Sequence, residues 1–591
     1  MLEIAVLLAA VALVAVPGVC LWRLLFPEES GLECWIWGAA TAAALAVLLA
    51  FYCAYARLSL FWPAWSALAA LCLLIWGWRA HRQPGGTKAA RNRCDLWLAL
   101  LLAVVAVSRF APVFMRDFPP GWDPSFHLIL ARKLLLADHM VFDWSPFETV
   151  PLNYPLGSHL LVGVLARLTR LPLPRVFQLL IPALGVISTA QVYGLAQRVF
   201  RRPAISLYSA LAYGGWAFAG SAGYYAWGGL PNQLGMMFLI ALLAIFVEQR
   251  WDWRSSALAA VFLAAVFVSH HHVLLIAGAV TLSVIAYWLA TAGLGANKKI
   301  RGLARAAAVA VALASPYLAP HIMRAATIRD TGVLRFTEPY SLWLMLAHMG
   351  ILLVGCGIAG LILSRRDQPQ RAGVLLTVVA LLLVLYAACG PLYRTYSLHR
   401  WGQEYVAFTP SRFLTDLIPL LSIFAGYALY RVAELFRLRP GAMIAGGLLL
   451  ALTNVPFWME LFARDPAPGR YQAYAWIEQH TPADTILLSN DEWAPYAAWR
   501  RTPATPLPVS EPAVIDNPAR AALAALASGR GPGTTLVVGV VAPQGLTPGI
   551  PLWRARSGWS VVQLWPQPQV RTGVRSTQHP NSASKLKNPI Q

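Results

Sequence analysis

"CDLWLALLLAVVAVSRFAPVFMRDFPPGWDPSFHLILARKLL" (94–135) opens on a strongly apolar run and then changes character at Arg116. The apolar part is about 20 residues long, enough for a helix to cross ~30 Å of hydrocarbon. The part that follows carries two acids, Asp117 and Asp123, with prolines, a tryptophan and a histidine. Asp123 precedes Pro124 and Ser125, a helix-start signal. If a helix begins there, His127 lies one turn beyond the acid and Arg132 little more than two turns on. A helix cap and a solvated turn would account for both acids structurally. A positioned acid at the mouth of an amphipathic helix is the functional alternative.

The apolar pattern recurs along the chain. The 591 residues are 58% hydrophobic and 12% charged, against about 25% charged in soluble domains. Apolar segments fall near 4–26, 34–56, 59–79, 95–115, 176–198, 204–222, 232–249, 255–270, 272–291, 302–320, 341–362, 372–390, 412–430 and 440–458. These fourteen lack barrel alternation, so the expected fold class is an α-helical polytopic membrane protein. The first run lacks a basic leader and continues into further spans, so it reads as a helix rather than a cleaved signal peptide.

The net charge is +21. It sits mostly in short loops such as "RAHRQPGGTKAARNR" (79–93) and "ANKKIRGLAR" (296–305), which all fall on one side of the fourteen spans. Basic loops face the cytoplasm, so the charge orients helices and no nucleic-acid partner is expected. The 116–175 loop and everything after 460 then face outward, and the expected location is the cell inner (cytoplasmic) membrane with the site facing the periplasm or outside. Residues 125–170 read as helices lying along the interface, because a further span at 153–175 would invert every later loop. Seven cysteines lie in or beside apolar spans with no CxxC, so neither a disulfide framework nor a zinc site is expected.

The expected domains are 1–93, N-terminal helices; 94–460, a catalytic transmembrane core with the outer loop 116–175; 461–570, a small outer α/β domain; and 571–591, a disordered tail. Within 461–570, "YAWIEQH" and "PARAALAALA" read as helices, and "TTLVVGVV" and "SVVQLW" as strands.

Three further patches are candidates. "GSAGYYAWGGLPNQLG" (220–235) is a glycine- and aromatic-rich turn, with Tyr225 and Asn232 as substrate contacts; an interfacial aromatic belt is the structural alternative. "SHHHVLL" (269–275) places His270, His271 and His272 at a turn. Three consecutive histidines on a helix diverge, so they suit the polar lining of a cavity better than a metal cage. "TPSR" (409–412) opens a span, where Ser411 would cap the helix and Arg412 would add a fixed charge suited to phosphate; an arginine snorkelling to the interface is the alternative.

This order of features resembles the GT-C superfamily of integral-membrane glycosyltransferases, which use polyprenyl-phosphate- or polyprenyl-diphosphate-linked sugars, and especially the oligosaccharyltransferase catalytic-subunit type. The likeness is carried by "GWDPSFHLILARKLL", by "RRPAISLYSALAYG" and by "GYYAWGGLPNQLG". It implies a catalytic role for Asp123, with Asp117 secondary. It implies a polyprenyl-phosphate-linked sugar donor, membrane lipids around it, and an acceptor (glycan, lipid or protein) that the chain does not identify. Arg412 is the first candidate for the donor phosphate. His127, Arg132, Arg324, Arg329 and Arg335 follow, with Tyr225, Asn232 and His270 as substrate contacts. The family often places an Asp-x-Asp where this chain has Ala226-Trp227-Gly228. No cofactor is therefore firmly implied. A divalent metal, manganese or magnesium, would rest on Asp123 and Glu338, and a metal-independent route with arginines carrying the charge is the other option. No Trp-Trp-Asp acceptor motif stands in the C-terminal domain, so protein N-glycosylation is not expected. A polytopic transporter or lipid flippase, and a non-catalytic envelope scaffold, are the rival readings.

Overall fold

The structure, a computed structural model, describes residues 2–29, 31–58, 61–82, 93–121, 123–147, 152, 154–248, 251–325, 342–367, 369–395, 410–452, 455–463, 469–489, 491, 493–502, 537–541, 550–554 and 560–565. The chain divides into two compact units, one built from 1–141, 153–169 and 173–464, the other from 142–152, 170–172 and 465–591.

The first unit is helical. It runs through α1 (Leu2–Leu25), α2 (Gly31–Tyr55), α3 (Phe61–Arg82) and α4 (Arg93–Phe110), which a 3-10 turn, Ala111–Met115, extends. Next come α5 (Asp123–Ala137), α6 (Gly157–Thr169), α7 (Leu173–Phe200), α8 (Pro203–Leu211), α9 (Gly223–Trp227), α10 (Leu230–Phe246), α11 (Trp253–Ser269) and α12 (His271–Ala292). The unit closes with α13 (Asn297–Ala325), α14 (Leu342–Met349), α15 (Ile351–Asp367), α16 (Pro369–Thr395), α17 (Pro410–Asp416), α18 (Ile418–Leu435), α19 (Pro440–Ala451) and α20 (Val455–Leu461). Each of the fourteen expected apolar segments falls on helix. Among the described residues, eight helices are long and apolar enough to cross a membrane, and five more are shorter apolar helices. The chain is an integral membrane protein.

Several expected spans are broken, and glycine explains two of the breaks. The 204–222 segment is α-helical for nine residues and then passes into two π-helical turns, Ala212–Trp216 and Phe218–Ala222. Gly220 turns there with φ +67, and a Cβ on it would lie 2.8 Å from the Thr415 carbonyl. The 341–362 segment breaks at Gly350, φ +98, where a Cβ would sit 2.4 Å from the Trp216 carbonyl. In both places neighbouring backbone comes too close for any other residue.

α1 and α2 meet through Gly18 and Gly38, where a Cβ on Gly18 would fall 2.2 Å from the Gly38 carbonyl. Small residues let membrane helices approach to dispersion contact where no hydrophobic force drives them together. α7 is almost wholly buried and is surrounded by α4, α8 and α10. α5 and α6 are also covered on nearly all sides, against α1, α2 and α7. Neither presents the polar face that an interfacial helix would, because neighbouring helices cover both.

The second unit holds α21 (Arg470–His480), β1 (Ile486–Leu488), α22 (Ala494–Ala498), β2 (Val537–Val541), β3 (Ile550–Arg554) and β4 (Ser560–Trp565). The sheet order is β1-β2-β4-β3, with β1 and β2 parallel and the other pairs antiparallel. Ala473, Tyr474 and Ile477 of α21 pack on Leu487, Val538 and Val561 to form its core. Arg500 donates to the carbonyls of Ile477 and Glu478, covering the C-terminal end of α21 where carbonyls lack helical partners. The expected helix and strands at 474–480, 537–541 and 560–565 are present. The expected helix at 518–527 and the tail 571–591 lie outside the described residues.

Candidate functional site

The site is built where two glycine turns interlock. Gly121 has φ +88, and a Cβ on it would lie 2.6 Å from the Ala226 carbonyl. Gly228 has φ +80, and its Cβ would fall 2.3 Å from Cδ of Pro124. Both positions need glycine for conformation and for space. Together they press the loop before α5 against the C-terminal end of α9, so that 226–228 abuts the helix mouth opened by Asp123.

Asp123 begins α5 and remains partly accessible. Burial pushes its carboxyl up to about 6, and the positive charge of Arg412 opposes the rise. Arg412 stands on α17 with its guanidinium 5.9 Å from the centroid of the Trp227 ring, a cation–π contact. Its field also reaches Tyr154 and His270. α17 starts at Pro410 and spans only seven residues, so Ser411 falls inside its first turn rather than ahead of it. The charge of Arg412 supplies positive potential here.

The histidines sort by partner. His127 Nδ1 lies 3.1 Å from His159 Nε2, and burial drives His127 down to about 3. It is thus a neutral imidazole paired with another imidazole. Tyr154 packs its ring against His127, His159, His270 and His271, and burial beside Asp123 raises its phenol. His270 takes extended backbone between α11 and α12. Burial and the Arg412 charge hold it well below the usual histidine range, and its Nδ1 has no partner among the described residues. His271 Nε2 lies 2.8 Å from the Tyr317 hydroxyl. His272 Nε2 donates to Asp416 Oδ2 at 2.6 Å, both side chains fully buried. His271 and His272 thus reach different polar partners, Tyr317 and Asp416, while His270 shares the Tyr154 ring with His271.

The other candidates are dispersed. Asn232 donates to the Tyr224 hydroxyl at 3.1 Å, beside Asp416 and Arg412. Tyr225 is buried with its hydroxyl unpartnered among the described residues, and the charges acting on it are Arg116 and Arg175 rather than Arg412. Asp117 is exposed. Arg132 is nine residues along α5, about 13 Å from Asp123 by helical rise. Arg324 lies in α13, and its side chain is outside the described residues, as are Arg329, Arg335 and Glu338.

Tyr154 and His159 are site neighbours that sequence reading passes over, as is the pairing of His272 with Asp416. "NYPLGSH" (153–159) offered the one signal, a tyrosine and a histidine around a Pro and a Gly. Gly157 is what brings them in, since a Cβ there would sit 2.6 Å from the Val268 carbonyl, next to the histidine turn.

A divalent ion on the family pattern would need carboxylates at 226–228, where the chain has Ala226, Trp227 and Gly228. Asp416 bonds His272 through Oδ2, and no group of three or more metal-ligating side chains gathers among the described residues. Hard cations such as magnesium and manganese prefer several oxygen ligands. The described residues do not fit such a site.

No protein-family model and no curated protein matches the chain by sequence. Solved structures do match. ArnT from Cupriavidus metallidurans, bound to undecaprenyl phosphate, aligns with TM-score 0.52 and 14% identity over 79% of this chain and 98% of that one. The oligosaccharyltransferase of Archaeoglobus fulgidus in its apo form aligns with TM-score 0.50 and 13% identity over 76% of this chain and 70% of that one. The same archaeal enzyme tethered with an acceptor peptide aligns with TM-score 0.49 and 14% identity over 70% of this chain; the chain spans 64% of its length. The alignments with ArnT and with the apo oligosaccharyltransferase show one architecture: the chain has the GT-C fold of integral-membrane glycosyltransferases.

Proposed function

We propose that the protein is a membrane glycosyltransferase that moves a sugar from a polyprenyl-phosphate-linked donor to an acceptor on the outer face of the membrane. The observation that carries this reading is a carboxyl at the head of α5, Asp123, raised by burial to about 6 and within the field of the fixed charge of Arg412. A base with that value is largely ionised near neutral pH yet still holds a proton well once it takes one. Asp123 accepts the proton of an acceptor hydroxyl as that oxygen bonds to the anomeric carbon. The bond from that carbon to the phosphate oxygen breaks, and its electron pair leaves on the phosphate. Arg412 offsets the developing charge, held in place by Trp227. One displacement inverts the anomeric carbon.

The test is turnover by purified protein with a polyprenyl-phosphate sugar. Asp123→Asn should lower kcat by about 10²–10⁴-fold. Wild-type kcat/KM should rise with pH along an acid limb centred near 6. Arg412→Ala should raise the donor KM more than the acceptor KM. Wild-type transfer by Asp123→Asn would overturn the assignment.

A further inference from the structure

α4 carries a second arginine, Arg109, a few residues before the Asp123 loop. It is 6% exposed. An ionisable group inside a membrane span is costly unless something partners it. Its Nη2 donates to the Gly214 carbonyl at 2.8 Å and to Ser221 Oγ at 3.1 Å, both on the π-helical turns. These bonds hold the head inside rather than letting it snorkel outward. The guanidinium stands 5.0 Å from the centroid of the Trp458 ring.

What remains is a one-sided imbalance. Nε and Nη1 of Arg109 and the indole Nε1 of Trp458 are buried without a partner among the described residues. No carboxylate among those residues forms an ion pair with Arg109. The unpartnered groups are all donors, around a permanent positive charge. A neutral molecule can accept hydrogen bonds but leaves the charge uncompensated, whereas an oxyanion answers both. The surroundings select how such an anion arrives. α4 exposes Leu96, Leu100, Val104 and Val107 on successive turns, and α20 exposes Val455 and Met459. Arg109 lies on the other face of α4, about 180° around the helix from that stripe, but still within an apolar span, so an anion that reaches it from the hydrocarbon layer is a phosphate on an apolar tail. The charge acting on Asp123, Tyr154 and His270 is that of Arg412, while that of Arg109 falls on Tyr213.

We propose that Arg109 and Trp458 form a second phosphate-binding site, separate from Arg412, which takes the phosphate group of a membrane lipid. The proposal concerns binding and stands apart from the transferase reading.

The experiment counts bound undecaprenyl phosphate on the purified full-length protein by native mass spectrometry, with inorganic phosphate as the untailed arm. Wild type should hold two equivalents. Arg109→Gln should lose one and keep the Arg412-dependent one, Arg412→Ala the reverse, and Arg109→Lys should retain both. Trp458→Phe keeps the charge and its two anchoring bonds, and should weaken one equivalent by about tenfold, as one lost charge-assisted hydrogen bond implies. Inorganic phosphate should bind at least about 100-fold more weakly, since it lacks the buried chain. If Arg109→Gln retains both equivalents, or Trp458→Phe binds both as wild type does, the site is wrong. The Trp458 arm decides the matter should Arg109→Gln not fold. Equal affinity for inorganic phosphate would overturn the lipid source. A wild type holding one equivalent that depends on Arg109 would support the site even if the Arg412 reading failed.

Discussion

At the scale of single residues, Asp123 works against its own fold. Burial raises it to about 6, while an unfolded aspartate titrates near ~3.9. The folded chain therefore binds that proton more tightly. The stability linked to the protonated carboxyl is complete below about pH 4 and is lost as pH rises through about 6. Asp123→Asn cannot ionise, so its melting temperature should exceed that of wild type at pH 7.5 and match it near pH 4. Equal shifts at both values, in a detergent melt followed by fluorescence, would contradict the burial argument. The donor set around Asp123 makes a second prediction. Ala226, Trp227 and Gly228 supply no carboxylate, so transfer should survive exhaustive chelation with little change. Loss of activity restored by manganese would reveal ligands among residues outside those described, with Glu338 the first to test.

At the scale of elements, the site depends on two turns meeting rather than on any single helix. Gly228→Ala would place a methyl 2.3 Å from Pro124 at φ +80. The start of α5 must then move, carrying Asp123 away from Arg412. Turnover should fall by more than tenfold, with a stability loss of about 1–3 kcal/mol for the strained backbone. Gly278→Ala is the control. Nothing lies within 4 Å of its Cβ, so it should be neutral or gain up to about 1 kcal/mol from helix propensity. Similar losses in both variants would mean that the interlock is not what positions Asp123. The π-helical turns belong to this scale too, because they interrupt α8 and aim the Gly214 carbonyl at Arg109.

At the scale of the whole molecule, orientation follows from charge. The lysine and arginine excess of the basic loops predicts that their side is the cytoplasmic one. In a background with Cys94 and Cys356 replaced by serine, a cysteine at Asp117 should react with an impermeant maleimide added outside intact cells. A cysteine at Lys298 should react only after permeabilisation. Both positions are exposed, so the reverse pattern would invert the proposed site to the cytoplasmic face.

The sequence by itself determined the helical membrane character, the places of the apolar segments and the acid at the head of α5, because each is a local property. An apolar run of sufficient length must bury its backbone bonds as helix wherever it lies. The acid–proline–serine signal likewise acts within one turn. Only the tertiary structure decided what those elements do to one another. His272 meets Asp416 across 144 residues, and Arg109 meets Ser221 across 112, pairings that no local pattern encodes. His127 reads as a ligand beside an acid, but burial neutralises it against His159. Gly220 and Gly350 break spans that hydropathy runs straight through, since a glycine's neighbour in space, not in sequence, sets whether the chain must turn there.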